Sequence, residues 1–551
     1  MQLRAIRSAF LPASPSVGGS DHGCRRIIYP DLFSKYGVTD SRCSNIKLLH
    51  KRPLEGRFLL VKDDGEDLME TQLIIDNQPR GGSEGKTLER RNPLTGALVT
   101  QSAAASVDDA LDAVESASKA FTSWSVTGPT ERRAVLLRAA EIMERRGAEF
   151  TETMTSEVGA APLWAGYNVF LTAQLFREAA GLATQIQGET IPSDKPGTLS
   201  MTVRQPAGVV LSMAPWNGAG VLAARAIAYP IVCGNTVVFR ASETSPRTHQ
   251  IIAEVMHEAG LPAGVLNFLT STPEDSDRVA EAIIAHPAVR RINFTGSTAV
   301  GRIIAAKAAR YLKPALLELG GKAPLVVLDD ADIDGAVNAA VFGSFLYQGQ
   351  ICMSTERLVV DESVADEFVA KFAARAAELV AGDPQSDASC VVGPMIREES
   401  GHRINELIDD ALPKGAELVV GGRADGASMN ATIVDRVRPE MSIYDQETFG
   451  PITTVVRVSG VEEAVRVAND TEYGLAAAVF GRDTTRALQV AMRIQAGHVH
   501  VNGATVQNDA QAPYGGMKSS GYGRFDGRAV INEFTELKWI TIEPSDQQYP
   551  F

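Results

Sequence analysis

The chain has 551 residues, 44% of them hydrophobic and 22% charged, enough for two or three domains with large cores. Its net charge of −14 argues against nucleic acid or an anionic membrane as a partner, and no apolar run approaches the ~18–20 residues of a membrane span. The five cysteines, Cys24, Cys43, Cys233, Cys352 and Cys390, are scattered without CxxC pairing. Neither a disulfide framework nor a metal site is expected, and the compartment reads as reducing.

Residues 1–68 read as an N-terminal extension. Arg4, Arg7 and several serines precede the first acidic residue, Asp21, and Leu3, Ile6 and Phe10 fall at helical spacing. This is the pattern of a mitochondrial transit peptide. The alternatives are an unstructured tail, or upstream sequence ahead of a true start at Met69. The expected location is therefore the cytoplasm, or the mitochondrial matrix if residues 1–68 act as a transit peptide.

From Leu73 onward the chain reads as folded. Asn92-Pro93-Leu94-Thr95-Gly96 is a turn between short strands. Helices are predicted over 107–120 and 130–146. The second carries Leu136, Ala140 and Met143 on one face, Arg145 and Arg146 in its last turn, and Gly147 as a stop just beyond. Strands at 208–213, 235–240, 265–269 and 291–294 are each followed by a helical pattern, the first running through Arg225. Such alternation predicts a parallel sheet with helices on both faces, with ligands beyond the carboxyl ends of its strands. A second α/β series spans about 322–515, with strands at 324–328 and 453–458. Segments 199–204 and 536–542 are strand-like and could pair in a small satellite sheet. His498 and His500 alternate in a strand-like run and read as structural.

The chemistry gathers in a few stretches. Cys352 follows Tyr347-Gln348-Gly349-Gln350-Ile351; a lone cysteine among apolar neighbours is either a small buried hydrophobe or a nucleophile. Glu318 sits in the apolar run Leu316-Leu317-Glu318-Leu319. Such surroundings raise a carboxyl pKa, as a general base near neutral pH needs. Thr295-Gly296-Ser297-Thr298-Ala299-Val300-Gly301 is a phosphate-binding candidate, or a structural turn, since it lacks the GxGxxG spacing. Asn217, after Pro215-Trp216, offers an amide to a developing oxyanion, or simply makes a turn. Arg240 and Glu243 at the next strand end could hold ribose hydroxyls, or pair on the surface. Glu447-Thr448-Phe449-Gly450-Pro451 is an acidic-aromatic turn, or a plain loop.

Taken in this order, the motifs resemble those of the NAD(P)-dependent aldehyde dehydrogenase superfamily over about residues 70–545. The resemblance implies an α/β protein in three parts. A Rossmann-like parallel-sheet cofactor domain takes residues 69–187 and 207–320. A second α/β catalytic domain takes 321–519, and a small β-arm for oligomerisation takes 188–206 and 535–545. It makes Cys352 the nucleophile, Glu318 the general base, and Asn217 with the Cys352 N–H the oxyanion hole. Trp216 and the turn Gly296 to Gly301 fall to the cofactor, with Ser297 near its pyrophosphate. Glu243 and Arg240 fall to the adenosine ribose, Glu447 to the nicotinamide ribose, and Phe449 beside the ring. Arg240 stands where the family has Lys, which keeps the charge with altered geometry. Glu243 favours NAD by repelling a 2′-phosphate, with NADP as the alternative.

The implied partners are a small aldehyde substrate and further copies of the chain, as a homodimer or homotetramer. Residues 217–226, with 514–524, are most similar to the salicylaldehyde and vanillin dehydrogenase branch. On that likeness Gly218 and Gly220 leave room for a flat ring. Arg225 meets a phenolic oxygen, or pairs with a carboxylate of the fold. The implied activity is oxidation of an aromatic aldehyde to the acid. The alternatives are an aliphatic or secondary-metabolite aldehyde, or a catalytically silent protein on this scaffold.

Overall fold

A computed structural model describes residues 61–63 and 66–551. Apart from strand Val61–Asp63 and the start of strand Glu66–Thr71, the expected extension lies outside the described residues. Glu66–Thr71 crosses the expected boundary at residue 69 and pairs in parallel with Leu98–Ala103.

The first large sheet has eight strands in the order Gly521–Tyr522, Ala315–Glu318, Val289–Thr295, Val209–Met213, Thr236–Arg240, Leu266–Leu269, Leu73–Ile75 and Gln78–Arg80. The five from Ala315–Glu318 to Leu266–Leu269 run parallel. Val209–Met213 is buried along its whole length, as a strand covered on both faces must be, so its apolar run is nearly continuous rather than alternating. Strand order reverses here. The next two strands of the parallel set lie on one side of Val209–Met213, and the last two on the other. A crevice for a ligand opens at such a switch point.

The flanking helices differ from expectation at their ends, for local reasons. Val107–Trp124 opens on a reciprocal cap, Ser106 with Asp109. It runs four residues past the predicted end because Trp124 is buried and donates to the Ile231 carbonyl at 3.1 Å. Gly147 does not end a helix; it begins the next, Gly147–Val158, after Pro129–Arg145. A Cβ there would stand 3.0 Å from Val169, so this glycine serves close helix packing. The helix after Val209–Met213 spans Ala219–Val232 and is buried throughout.

The second sheet has seven strands in the order Glu417–Val420, Thr432–Asp435, Ile452–Val458, Thr355–Asp361, Ala323–Val327, Ala476–Phe480 and His498–Val501. Only Glu417–Val420 is antiparallel to its neighbour. The two distant strand-like segments do pair: Leu199–Pro206 lies antiparallel to Thr535–Ile542, from Leu199 opposite Ile542 to Pro206 opposite Thr535. Leu199, Leu537, Trp539 and Ile542 are exposed on it. Near its end the chain returns to the first sheet, placing Gly521 opposite Glu318. Among the described residues no helix is long and apolar enough to cross a membrane, and no cluster of potential metal ligands occurs.

Candidate active site

A cavity of about 430 Å³ opens at the switch point, touched by Trp216, Asn217, Gly296, Ser297, Glu318, Cys352, Glu447 and Phe449 among others. Its residues come from the carboxyl edge of the first sheet and from the loops of the second.

Cys352 is delivered by a strained approach. Tyr347, Gln348 and Gly349 all have positive φ, at 50°, 44° and 68°. For the two non-glycine residues this costs about 1–3 kcal/mol each, so the neighbours must enforce it. Tyr347 stacks on Trp164 at 5.3 Å. The Gln348 amide donates to the Pro394 carbonyl at 2.6 Å and accepts from the Gly393 N–H at 3.2 Å. At position 349 a Cβ would run into the Gly450 carbonyl. The Cys352 sulfur then lies 3.2 Å from the Tyr514 hydroxyl. Burial pushes the thiol up to about 12, and the nearby Glu318 carboxyl adds to the rise.

Glu318 ends its strand wholly buried, and its Oε1 has no hydrogen-bond partner. Burial pushes the carboxyl up to about 8, against the pull of Arg225 and Arg524. A buried polar atom left without a partner is uncommon and calls for an explanation; a water or substrate to be activated supplies one. Asn217 is fixed at both ends. Trp164 donates to its backbone carbonyl at 2.8 Å, and its own Nδ2 donates to the Gln350 carbonyl at 3.0 Å. An amide NH₂ carries two donors, so one remains for an oxygen in the cavity.

The far wall is the 446–449 turn. Thr448 and Phe449 donate their N–H groups to Glu356 at 2.7 and 3.0 Å. Glu356 is ion-paired with buried Lys322 at 2.9 Å, and Lys322 also reaches the Gln446 carbonyl at 2.7 Å. Arg403 holds the carbonyls of Glu447 and Thr448 at 2.8 and 2.5 Å. So anchored, Phe449 keeps a φ of 46° and meets Trp216 edge-on at 5.9 Å. Burial pushes Glu447 up to about 7, helped by the charge of Glu356 and opposed by the Gly321 N–H it accepts at 2.9 Å.

Ser297 caps helix Thr298–Arg310, its Oγ accepting from the Val300 N–H at 3.4 Å. The other N–H groups of that first turn form an anion-binding end. Gly296 faces the Phe294 ring, and a Cβ at Gly301 would run into Leu319. Arg240 and Glu243 are not on the cavity wall but at the next strand end. Arg240 donates to Ser271 at 3.2 Å and Ser276 at 2.6 Å, and lies 3.5 Å from Glu243. The residues fit a dinucleotide, with an anion-binding helix end, acidic groups for hydroxyls, and two aromatic rings.

Three expectations for a substrate pocket change. Gly220 points away from the cavity: a Cβ there would stand 2.7 Å from Thr172 Oγ1 and 2.8 Å from the Phe150 ring. It is small so that helices can pack, not to admit a ring. Gly218 would meet Leu222 only at ordinary contact, 3.5 Å, so it opens little room. The Arg225 guanidinium does not line the cavity. It pairs with Asp526 at 2.6 Å in a buried ion pair and lies under the Tyr514 ring, 3.8 Å from its centre. Of its two expected roles, the carboxylate of the fold is the one present.

The sequence does not single out Tyr514, Trp164, Lys322, Glu356 or Arg403 as site residues. Their partners lie tens to hundreds of residues away, and the one local signal was that Tyr514 opens a glycine-rich run.

A doubly wound sheet set against a second α/β sheet, with a half-buried cysteine and a buried carboxyl in the crevice, is the architecture of an aldehyde-oxidising dehydrogenase. The chain belongs to the aldehyde dehydrogenase family, whose profile matches residues 81–540. It is 62% identical over 483 residues to a salicylaldehyde dehydrogenase of Pseudomonas putida, covering 88% of this chain and all of that one. It is 52% identical over 483 residues to a vanillin dehydrogenase of Pseudomonas fluorescens, again 88% of this chain and all of the relative. A crystal structure of a salicylaldehyde dehydrogenase from Pseudomonas putida G7, complexed with salicylaldehyde, superposes with a TM-score of 0.87 at 61% identity, over 88% of this chain and all of that one.

Proposed function

We propose that the protein oxidises an aromatic aldehyde to its carboxylic acid with NAD, through a covalent adduct on Cys352. The observation that carries this reading is the convergence of Cys352, the Glu318 carboxyl with its unpartnered Oε1 and the Asn217 amide in one cavity with Ser297, Glu447 and Phe449. The names of the relatives supply the substrate class.

In this reading the Cys352 thiol releases its proton to water in the cavity as its sulfur adds to the carbonyl carbon. The oxyanion is held by the free Asn217 amide hydrogen and the Cys352 N–H, each such donor worth about 3–4 kcal/mol. A nicotinamide bound in the cavity supplies the acceptor for the hydride. Ser297 and the helix end behind it would hold the pyrophosphate, and Glu447 the ribose nearer the ring, with Trp216 and Phe449 as walls. Arg240 and Glu243 would hold the adenosine ribose, with Glu243 disfavouring a 2′-phosphate. Glu318, once ionised, takes a proton from water, which attacks the thioester and releases the acid and the thiol. The protein acts in the cytoplasm, as a homodimer or homotetramer joined through the Leu199–Pro206 and Thr535–Ile542 arm.

The test is reduced-nicotinamide formation by purified protein with salicylaldehyde, vanillin, benzaldehyde and hexanal, each with NAD and with NADP. Preference for the aromatic aldehydes with NAD is expected. Preference for hexanal would keep the dehydrogenase and discard the aromatic class.

A further inference from the structure

Tyr514 is buried, and among the described residues its hydroxyl has one hydrogen-bond partner, the Cys352 sulfur at 3.2 Å. Its ring cannot easily turn away. The Arg225 guanidinium lies 3.8 Å from the ring centre, the His498 ring packs at 4.6 Å, and the backbone exchanges two hydrogen bonds with Phe525 at 2.9 and 2.7 Å. Arg225 is itself locked by Asp526. A polar hydrogen is thus held in a fixed place beside the nucleophile.

Covalent attack weakens that hydrogen's partner. The attacking thiolate is a charged acceptor, whereas sulfur bonded to the substrate carbon is a thioether, a weak one, and a buried hydroxyl without a good partner is costly. Three other groups surround the tetrahedral carbon. The oxygen falls to Asn217 and the hydrogen to the cofactor side, which leaves the ring. An oxygen on the ring atom next to the point of attachment is three bonds from the carbonyl carbon, within reach of a phenol already in contact with the sulfur.

We propose that Tyr514 is a specificity-determining residue, its hydroxyl passing from the Cys352 sulfur to a hydroxyl ortho to the carbonyl, so that the site favours 2-hydroxyaryl aldehydes. This rests on the aromatic reading given under Proposed function. It gives to Tyr514 the contact with a phenolic oxygen that was one of the two roles expected of Arg225, with Arg225 as the cation stacked behind it.

The test compares wild type with Tyr514→Phe, which keeps the ring and its packing on Arg225 and His498. The readout is kcat/KM for 2-hydroxybenzaldehyde, 4-hydroxybenzaldehyde and benzaldehyde. In the variant the kcat/KM ratio of 2-hydroxybenzaldehyde to benzaldehyde should fall about tenfold, the effect of one hydrogen bond, on top of whatever loss all three aldehydes share when the contact with the Cys352 sulfur is removed. An unchanged ratio, or an equal fall for all three, would overturn the proposal and leave Tyr514 a support of the thiol. The wild type gives a second check that needs no variant: the 2-hydroxy isomer must be preferred to the 4-hydroxy isomer, and parity would also overturn it. Should wild type oxidise hexanal and none of the three, the aromatic reading itself has failed.

Discussion

Asn217 and Gln350 are tied across the two sheets. The Asn217 side-chain amide, at the end of a first-sheet strand, donates to the backbone carbonyl two residues before Cys352, at 3.0 Å. One hydrogen bond therefore sets the distance between the oxyanion donor and the nucleophile, and Trp164 holds the same residue from its backbone side.

Asn217→Ala should lower kcat about 10²–10³-fold, the usual loss for one oxyanion donor. Cofactor affinity, read by quenching of protein fluorescence, should hold. A kcat within about tenfold of wild type would place the oxyanion elsewhere. Cys352→Ala should abolish turnover with the same affinity retained.

Glu318 carries the pH dependence. Burial keeps its carboxyl protonated up to about 8, and only the ionised form can take a proton from water. Steady turnover should therefore rise with pH through a midpoint near that value. Glu318→Gln should keep a first burst of reduced cofactor and lose that limb. If burst and steady rate fall together, Glu318 is not mainly the base for hydrolysis. The same shift acts on stability. A carboxyl raised in the folded state contributes stability that is full below its ordinary pKa and lost as pH rises through the folded value. Melting temperatures of Glu318→Gln should accordingly gain on wild type between pH 5 and pH 9.

The resting thiol should be unreactive at neutral pH. Burial and the neighbouring Glu318 push Cys352 up to about 12, and the thiolate is the form that alkylates. Iodoacetamide labelling of the Cys352 peptide without cofactor should keep accelerating beyond pH 9. In Glu318→Gln, which removes the repelling charge, the curve should move to lower pH. A plateau near pH 8 in wild type would contradict the burial argument.

The parallel strands were legible in the sequence because burial on both faces makes them continuous apolar runs, as in Val209–Met213. Glu318, Asn217 and Cys352 were legible because each closes a strand or opens a turn with a distinctive neighbour. Tyr514 was not, because its contact with Cys352 spans 162 residues and exists only once two sheets have packed. Gly220 was misread for a different reason. A glycine in a helix announces a close approach but not which face makes it, and here the approach is to Phe150 and Thr172. Gly220→Ala should therefore destabilise the fold by about 1–3 kcal/mol, the cost of overpacking. The ratio of benzaldehyde to hexanal turnover should stay as it was; a changed ratio at unchanged stability would return Gly220 to the substrate pocket.

Arg225 and Asp526 supply the sharpest test of what lies behind Tyr514. Both are fully buried, and the guanidinium makes three contacts of 2.6 to 3.2 Å with the carboxylate. Desolvating both charges is expensive, so the pair itself adds little net stability, but removing one partner strands the other. Asp526→Asn should cost about 3–5 kcal/mol in chemical denaturation. The double change Arg225→Met with Asp526→Leu should recover most of that loss, because it removes both charges while filling the space. If the single variant loses less than about 1 kcal/mol, water or another group already satisfies Arg225, and the fixed cation beneath Tyr514 is not held as its geometry indicates.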